Sequence, residues 1–256
     1  MASAGLSRLK LWLADQFCSP VVGRYVSALF NGQIPSKGIV IDATQEMIPA
    51  EHVACIFFGL YERTETRFAR RFLTCGMDVV EIGSGIGVVS AHILTRLGRG
   101  DRLICVEANP YLISTLQRNV ELNNLRAEVT VLNRALDYSE REELSLAVDS
   151  RNLGTHVQHQ PGAHVRAISL HDVVRQANLS DYALVCDAEG AEIGMILHDS
   201  DGLSRCRLLI IELHQAVHEG CEYSVLDLRR ALEMHHGFSM VAARHRVHVF
   251  EKPAAL

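Results

Sequence analysis

The chain has 256 residues, 48% of them hydrophobic and 21% charged, which excludes a mainly disordered chain and any collagen-like or heptad-dominated fibre. The length admits one large domain with a modest appendage rather than two equal domains. Lys plus Arg is 25 against 30 Asp plus Glu, a formal net charge of -5, so the global balance offers no attraction to phosphate backbones or anionic membranes, and nucleic acid is not an expected partner.

Residues 1–72 read as an N-terminal helical cap. The stretch has amphipathic helical segments, one short strand at Gly38–Ile41 and turn signals at Asn31-Gly32 and Pro35. Arg8, Lys10 and Asp15 interrupt the apolar start, so no secretory leader is read. No window reaches the roughly 20 uninterrupted apolar residues of a membrane span, and a cytoplasmic protein is expected. The seven cysteines (Cys18, Cys55, Cys75, Cys105, Cys186, Cys206 and Cys221) are scattered without a Cys-x-x-Cys pair, which predicts buried small hydrophobes rather than a disulfide framework or zinc ribbon.

Residues 73–256 follow a different rule. β-rich apolar runs at Met77–Ile82, Arg102–Glu107, Glu128–Leu132, Tyr182–Asp187 and Arg207–Leu213 alternate with helical spacing at Val88–Leu97, Pro110–Asn123, Leu170–Gln176, Ala191–Leu197 and Ser224–His235. This predicts an α/β, Rossmann-like fold with strands buried on both faces. Phe238–Ala243 and Arg246–Glu251 read as a closing antiparallel pair, giving a mostly parallel seven-stranded sheet with an antiparallel C-terminal strand. The stretch from Tyr138 to Ala163 predicts a β excursion and a mobile loop, of the kind that faces substrate.

The sharpest local signal is Glu81-Ile82-Gly83-Ser84-Gly85-Ile86-Gly87, a strand entering glycines and then a helix. Glycines allow positive φ and close backbone approach to a ligand. A dinucleotide fingerprint needs glycine at the position of Val88, which argues against a nicotinamide oxidoreductase. An acid at Glu81 repels a pyrophosphate but accepts from a ligand ammonium, as in S-adenosylmethionine. Glu107 ends the second strand 20 residues after Gly87, where a carboxylate takes ribose hydroxyls; a helix-start acid is the competing reading. After the third strand, Asn133-Arg134-Ala135-Leu136 reads either as a small apolar surface flanking adenine or as an ordinary strand exit. Asp187 and Glu189 follow the fourth strand, at the crevice where such sheets bind ligands, and Glu192 reads as either a site acid or a helix-start acid. Glu212 and His214 share one side of the fifth strand's end.

These segments, with Val106-Glu107-Ala108-Asn109-Pro110, Ser169-Leu170-His171-Asp172, Asp187-Ala188-Glu189-Gly190-Ala191-Glu192 and Ile211-Glu212-Leu213-His214, resemble the FkbM family of S-adenosylmethionine-dependent methyltransferases over residues 58–250. The resemblance implies a class I methyltransferase fold, S-adenosylmethionine as cofactor, and O-methylation of a sugar or polyketide-like hydroxyl. It implies a cofactor set of Glu81, Gly83, Ser84, Gly85, Gly87, Glu107, Ala108, Asn109, Ala135 and Asp187, with Tyr61 and Glu62 approaching from the cap. Family members commonly read Asp-Ile-Gly-Ala where this chain has Glu81-Ile82-Gly83-Ser84; the acid is kept. The cap is unmatched.

Asp187, Glu189 and His214 compete for the role of general base, with His214 preferred if unpaired, since its ordinary pKa of about 6.5 leaves it neutral at pH 7. Asp187, Glu189 and Asp172 alternatively supply oxygen ligands for a divalent cation. The expected acceptor is a small-molecule or glycan hydroxyl, and homo-oligomerisation stays open. A non-catalytic S-adenosylmethionine-binding regulatory module is the rival reading.

Overall fold

The computed structural model describes residues 17–44, 48–139, 141–148, 155–157 and 162–253. The expected helical start of the cap, in residues 1–16, lies outside them. Helix α1 (Pro20–Leu29) opens the described chain, with Ser19 as a side-chain N-cap. A hairpin of β1 (Gln33–Ser36) and β2 (Ile39–Asp42) follows, and then α2 (Ala50–Phe57). Sequence reading sees only the second strand, because Pro35 masks the first. Pro35 pairs with Val40 in this short edge hairpin, a position that proline tolerates. Cys18 and Cys55 are disulfide-bonded, a departure from the expectation of unpaired cysteines: 37 residues of separation hide a Cα–Cα distance of 5.1 Å created by α1 packing on α2. Cys105, Cys186 and Cys206 are buried and free.

Helix α3 (Arg63–Phe72) leads into the main sheet, whose seven strands are β3 (Asp78–Ile82), β4 (Arg102–Glu107), β5 (Glu128–Asn133), β10 (Tyr182–Cys186), β11 (Cys206–Glu212), β14 (Ser239–Arg244) and β15 (Val247–Glu251). Their order is β14-β15-β11-β10-β3-β4-β5, with β15 antiparallel to both neighbours and the remaining pairings parallel, as expected. Period-2 alternation sorts the strand side chains into two cores. Val80, Ile82, Ile104, Val106, Leu184 and Ile211 face one side. Val79, Leu103, Cys105, Ala183, Val185 and Ile210 face the other, together with Phe68 and Ala69 of α3 and its C-cap residue Leu73.

The crossover helices are α4 (Val88–Leu94), α5 (Ile113–Asn123), α6 (Leu170–Gln176), α7 (Glu192–His198), the short α8 (Ser200–Ser204) and α9 (Val225–His236). Helix α5 starts three residues later than Pro110 suggests, because the Asn109 side chain accepts from the Tyr111 N–H at 3.0 Å and holds a turn there. Ser224 and Asp227 close a capping box on α9, which ends at Gly237.

Between β5 and β10 the expected excursion forms its own sheet from β6 (Ala135–Leu136), β7 (Glu143–Val148), β8 (Thr155–Val157) and β9 (Ala163–Ile168), in the order β6-β9-β7-β8. Residues 149–154 and 158–161 of that stretch lie outside the described residues. A second hairpin, β12 (Ala216–His218) with β13 (Cys221–Tyr223), follows β11.

The cap is tied to the main sheet through α5. The free edge of β2 meets two asparagines one helical turn apart: Asn123 exchanges hydrogen bonds with the Val40 backbone at 3.0 and 2.7 Å, and Asn119 accepts from Asp42 N–H at 2.6 Å. These amides satisfy a strand edge that otherwise invites pairing. Asn119 also donates to the Ile86 carbonyl at 2.7 Å, joining cap, helix and glycine turn.

Candidate active site

The order of the main sheet reverses at β3, which lies between β4 and β10, so the connections leave in opposite directions and open a crevice at the carboxyl ends of those strands. Gly83 has φ +81°, and a Cβ there would lie 1.8 Å from the Asp187 carbonyl oxygen. Only glycine lets the turn pass this close to the end of β10. Gly83 N–H donates to Val106 O at 2.9 Å and Asp187 N–H to Ile82 O at 3.0 Å, which locks three strand ends together. Gly87 has another job: it precedes α4, and a Cβ there would press on Leu116 Cδ1 of α5 at 3.0 Å.

Glu107 ends β4 and is 4% exposed. Its Oε2 accepts from Gly85 N–H and its Oε1 from Asn109 N–H, each at 2.7 Å, so it fastens the glycine turn while each oxygen keeps a lone pair. Burial pushes its carboxyl up, against the backbone donors that pull it down. Alternation along β3 turns Glu81 toward α4, beneath the glycine turn. Its Oε2 accepts from Ser90 Oγ at 2.5 Å and faces Cys105 Sγ at 3.5 Å, while Oε1 has no partner among the described residues. Burial raises Glu81 to about 7.

A pocket in the crevice is lined by Ile82, Gly83, Val106, Glu107, Ala108, Arg134, Ala135, Leu136, Leu146, Asp187, Ala188, Glu189 and Ala191. Gly83, Glu107, Ala108, Ala135 and Asp187 of the expected cofactor set line it. Glu81, Ser84, Gly85, Gly87 and Asn109 build the turns behind it. Tyr61 and Glu62 approach from the cap side, with Glu62 Oε1 4.0 Å from where a Gly85 Cβ would stand. Burial, then the charges of Asp187, Glu65 and Glu81, push Glu62 well above the carboxylate range, and the Tyr61 hydroxyl hydrogen-bonds to it.

At the other end of the pocket, Asp187 Oδ1 is buried without a partner among the described residues. Burial raises Asp187 to about 7, helped by the charges of Glu212 and Glu189. His214 lies two residues beyond β11. Its Nδ1 is 3.0 Å from Glu192 Oε1, which also accepts from the His214 backbone N–H at 2.9 Å; Glu192 Oε2 accepts from Gly190 N–H at 2.8 Å. The hydrogen bond to Glu192 raises His214 to about 9, so the ring is an imidazolium at neutral pH. Glu189 and Glu212 stand 3.7 and 3.6 Å from its Nε2. The condition that His214 be unpaired is not met, and Glu192 is a clamp rather than a simple helix-start acid.

Two site residues escape sequence reading. Glu65 of α3, 8% exposed, is hydrogen-bonded to Glu212, and burial together with the charge of Glu65 raises Glu212 to about 7. Glu65 lies three residues after Glu62, which the resemblance places near the cofactor, but nothing in its spacing joins it to a residue 147 positions later. Leu146 lies in the stretch read as excursion and loop. Asp172 is not grouped with Asp187: it takes Ser169 Oγ and Arg175 Nη2, each at 2.9 Å, at the start of α6. The cation set named from sequence does not assemble; Asp187, Glu212 and His214 converge instead, with donor atoms within 4.8 Å of one another.

Residues 81–240 match the methyltransferase FkbM domain family. The ribosomal protein L11 methyltransferase of Thermosipho africanus (strain TCF52B) is 29% identical over 101 residues, covering 36% of this chain and 38% of that protein. The matched stretch therefore spans less than half of that relative. Among solved structures, the magnesium protoporphyrin IX methyltransferase of Synechocystis PCC 6803 with bound S-adenosylmethionine is 16% identical, with a TM-score of 0.43 over 75% of this chain and 78% of that one. The tRNA (uracil-54, C5)-methyltransferase of Pyrococcus abyssi with S-adenosyl-L-homocysteine is 12% identical, with a TM-score of 0.42 over 86% of this chain and 43% of that one. The relative named for ribosomal protein L11 stands against the expectation of a small-molecule or glycan acceptor and no nucleic acid, which is withdrawn. The physical flaw in that expectation is averaging: a net charge of -5 coexists with Arg63, Arg67, Arg70 and Arg71, all exposed on α3 or its last turn. Among the described residues, no helix is long and apolar enough to cross a membrane.

Proposed function

We propose that the chain, which belongs to the methyltransferase FkbM domain family, is an S-adenosylmethionine-dependent methyltransferase that methylates a hydroxyl oxygen of its acceptor, with Asp187 receiving the hydroxyl proton. The observation that carries this reading is the orphaned Asp187 Oδ1 in the crevice, a buried acceptor that lacks a donor and titrates near 7.

The pocket suits the cofactor. Glu107 offers its two remaining lone pairs to ribose hydroxyls, and Ala108, Ala135 and Leu136 form a small apolar slot for adenine. Glu62 and the Glu81 oxygen that has no partner among the described residues present carboxyl acceptors near the glycine turn, and the positive charge of an ammonium group there favours their ionised forms. When bound, S-adenosylmethionine supplies a methyl group made electrophilic by a positively charged sulfur. Glu189 favours that charge at the far end of the pocket.

His214 acts as a fixed cation. Held by Glu192, it keeps Asp187 from rising further and so preserves an ionised fraction at neutral pH. Alignment of acceptor and methyl donor contributes up to about 7–11 kcal/mol in favourable cases, and the positioned base about 10² to 10⁴-fold. Calorimetric titration with S-adenosylmethionine, followed by S-adenosylhomocysteine release in the presence of RNA, protein and low-molecular-weight fractions, tests the reading. D187N keeps cofactor affinity and loses about 10² to 10⁴-fold in release rate; undiminished release by D187N overturns the assignment of Asp187.

A further inference from the structure

The hairpin of β12 and β13 turns through Glu219-Gly220, with φ +51° and +80°. Positive φ at both positions is the two-residue turn that matches strand twist. The turn brings His218 and Glu219 to the end of α7, where His198 is the last helical residue. His198 Nε2 and His218 Nε2 stand 3.3 Å apart, and Glu219 Oε1 is 3.9 Å from His198 Nε2. Gly194 lies one turn before His198 on the same helix face, and a Cβ there would come within 3.4 Å of His218 Cε1 and 2.9 Å of Tyr138 Cδ2. Its missing side chain is what seats the His218 ring against α7. The helix end is itself anchored, since Asp199 accepts from Tyr138 Oη at 2.7 Å, His171 N–H at 2.9 Å and Gly202 N–H at 2.8 Å.

We propose that His198, His218 and Glu219 form a site for a divalent transition-metal ion of the Zn2+ type, which fastens the hairpin to α7. A tetrahedral ion with bonds of about 2.0–2.1 Å to imidazole nitrogen sets neighbouring donors about 3.3–3.4 Å apart. The two imidazole nitrogens already have that separation. Glu219 is exposed, its donor lies within 4.8 Å of both imidazole donors, and a side-chain rotation brings it to bonding distance. Three protein ligands leave a fourth position for water. Two nitrogen donors select a borderline ion over Mg2+ or Ca2+, which take oxygen ligands.

The site borders a groove lined by Tyr138, Gly190, Gly194, Ala216 and Val217, continuous with the cofactor pocket through Ala188, Glu189 and Ala191. Ala216 is two residues from His214. A bound ion therefore fixes one wall of the route to the reaction centre without touching the methyl donor. The competing account is a direct hydrogen bond between the two ring nitrogens.

The test is calorimetric titration of the chelator-stripped full-length protein with Zn2+, and with Mg2+ as control, read alongside the visible spectrum of the Co2+-loaded protein. Wild type takes one Zn2+ per chain with a tetrahedral Co2+ spectrum and no heat from Mg2+. H198A and H218A each weaken Zn2+ at least tenfold, given that even outer-shell changes cost about 10 to 100-fold. H214A changes Zn2+ affinity by less than about twofold, since it lies outside the site. All three variants have exposed or half-buried positions, and circular dichroism confirms their fold. Absence of Zn2+ binding at micromolar protein, unaltered binding in H198A and H218A, or loss of binding in H214A, which would move the ion to the Asp187 group, each overturns the proposal.

Discussion

Replacing Glu192 with Gln isolates the electrostatics of the reaction centre. Glu192 is fully buried and holds three donors: Gly190 N–H, His214 N–H and His214 Nδ1. With His214 near 9 rather than about 6.5, the shift amounts to about 3 kcal/mol at 1.36 kcal/mol per unit; Glu192 is its largest source, ahead of the charges of Asp187 and Glu212, and contributes about 2 once solvent reaching the ring is counted. The sign follows from a histidine whose folded-state pKa is raised. Its stabilisation is complete below about 6.5 and is lost as pH climbs through about 9. E192Q therefore unfolds more easily than wild type at pH 6, and the gap between the two narrows by about 2 kcal/mol by pH 10. A pH-independent residue of about 1–3 kcal/mol remains, because a glutamine has one acceptor oxygen and leaves a backbone N–H unpaired. Urea denaturation of both proteins across that range reads the gap, and the His214 ring-proton resonance reads the titration directly. A gap that stays constant with pH, or a His214 midpoint that stays near 9 in E192Q, refutes the reasoning.

Three further outcomes follow from the same geometry. G83A forces a Cβ into the Asp187 carbonyl at a residue with φ +81°, so thermal unfolding shows a loss of about 3 kcal/mol or more and cofactor binding vanishes with it. E107A strands the Gly85 and Asn109 N–H groups at about 1–3 kcal/mol each, and calorimetry finds S-adenosylmethionine affinity reduced by at least about tenfold. The kcat/KM profile of the wild type rises as Asp187 ionises near 7, and D187N removes that rise.

Strand ends were the most readable part of the site, because a buried parallel strand announces itself as an apolar run and its last polar residue must lie at the crevice. Glu107 and Asp187 were found that way, and the glycine turn marked the approach at Gly83. Periodicity within β3 also carried the information that Glu81 faces α4 rather than the pocket, since Val79 and Glu81 share a side. What stayed hidden was long-range. Glu65 reaches Glu212 only because α3 lies across the sheet, and Glu192 reaches His214 only because the turn after β10 folds under the end of β11. The second sheet was legible as strand-forming material but not as β6-β9-β7-β8, since its pairing skips along the chain. The exclusion of nucleic acid rested on a summed charge, which carries no position.

The apolar bed beneath the glycine turn bears on how this protein can be re-engineered. Ile86, Val88 and Ala91 share one core with Ile34, Ile41, Val53 and Ile56 of the N-terminal elements. A chimaera that begins near residue 73, or that carries a foreign leading segment, exposes Ile86 and loses the contacts that hold the turn. Even truncating that one side chain to alanine costs about 2–5 kcal/mol in a packed core. Recognition of the methyl donor and the architecture of the leading segment are therefore inherited together, and transplanting either demands that the isoleucine interface be transplanted as well.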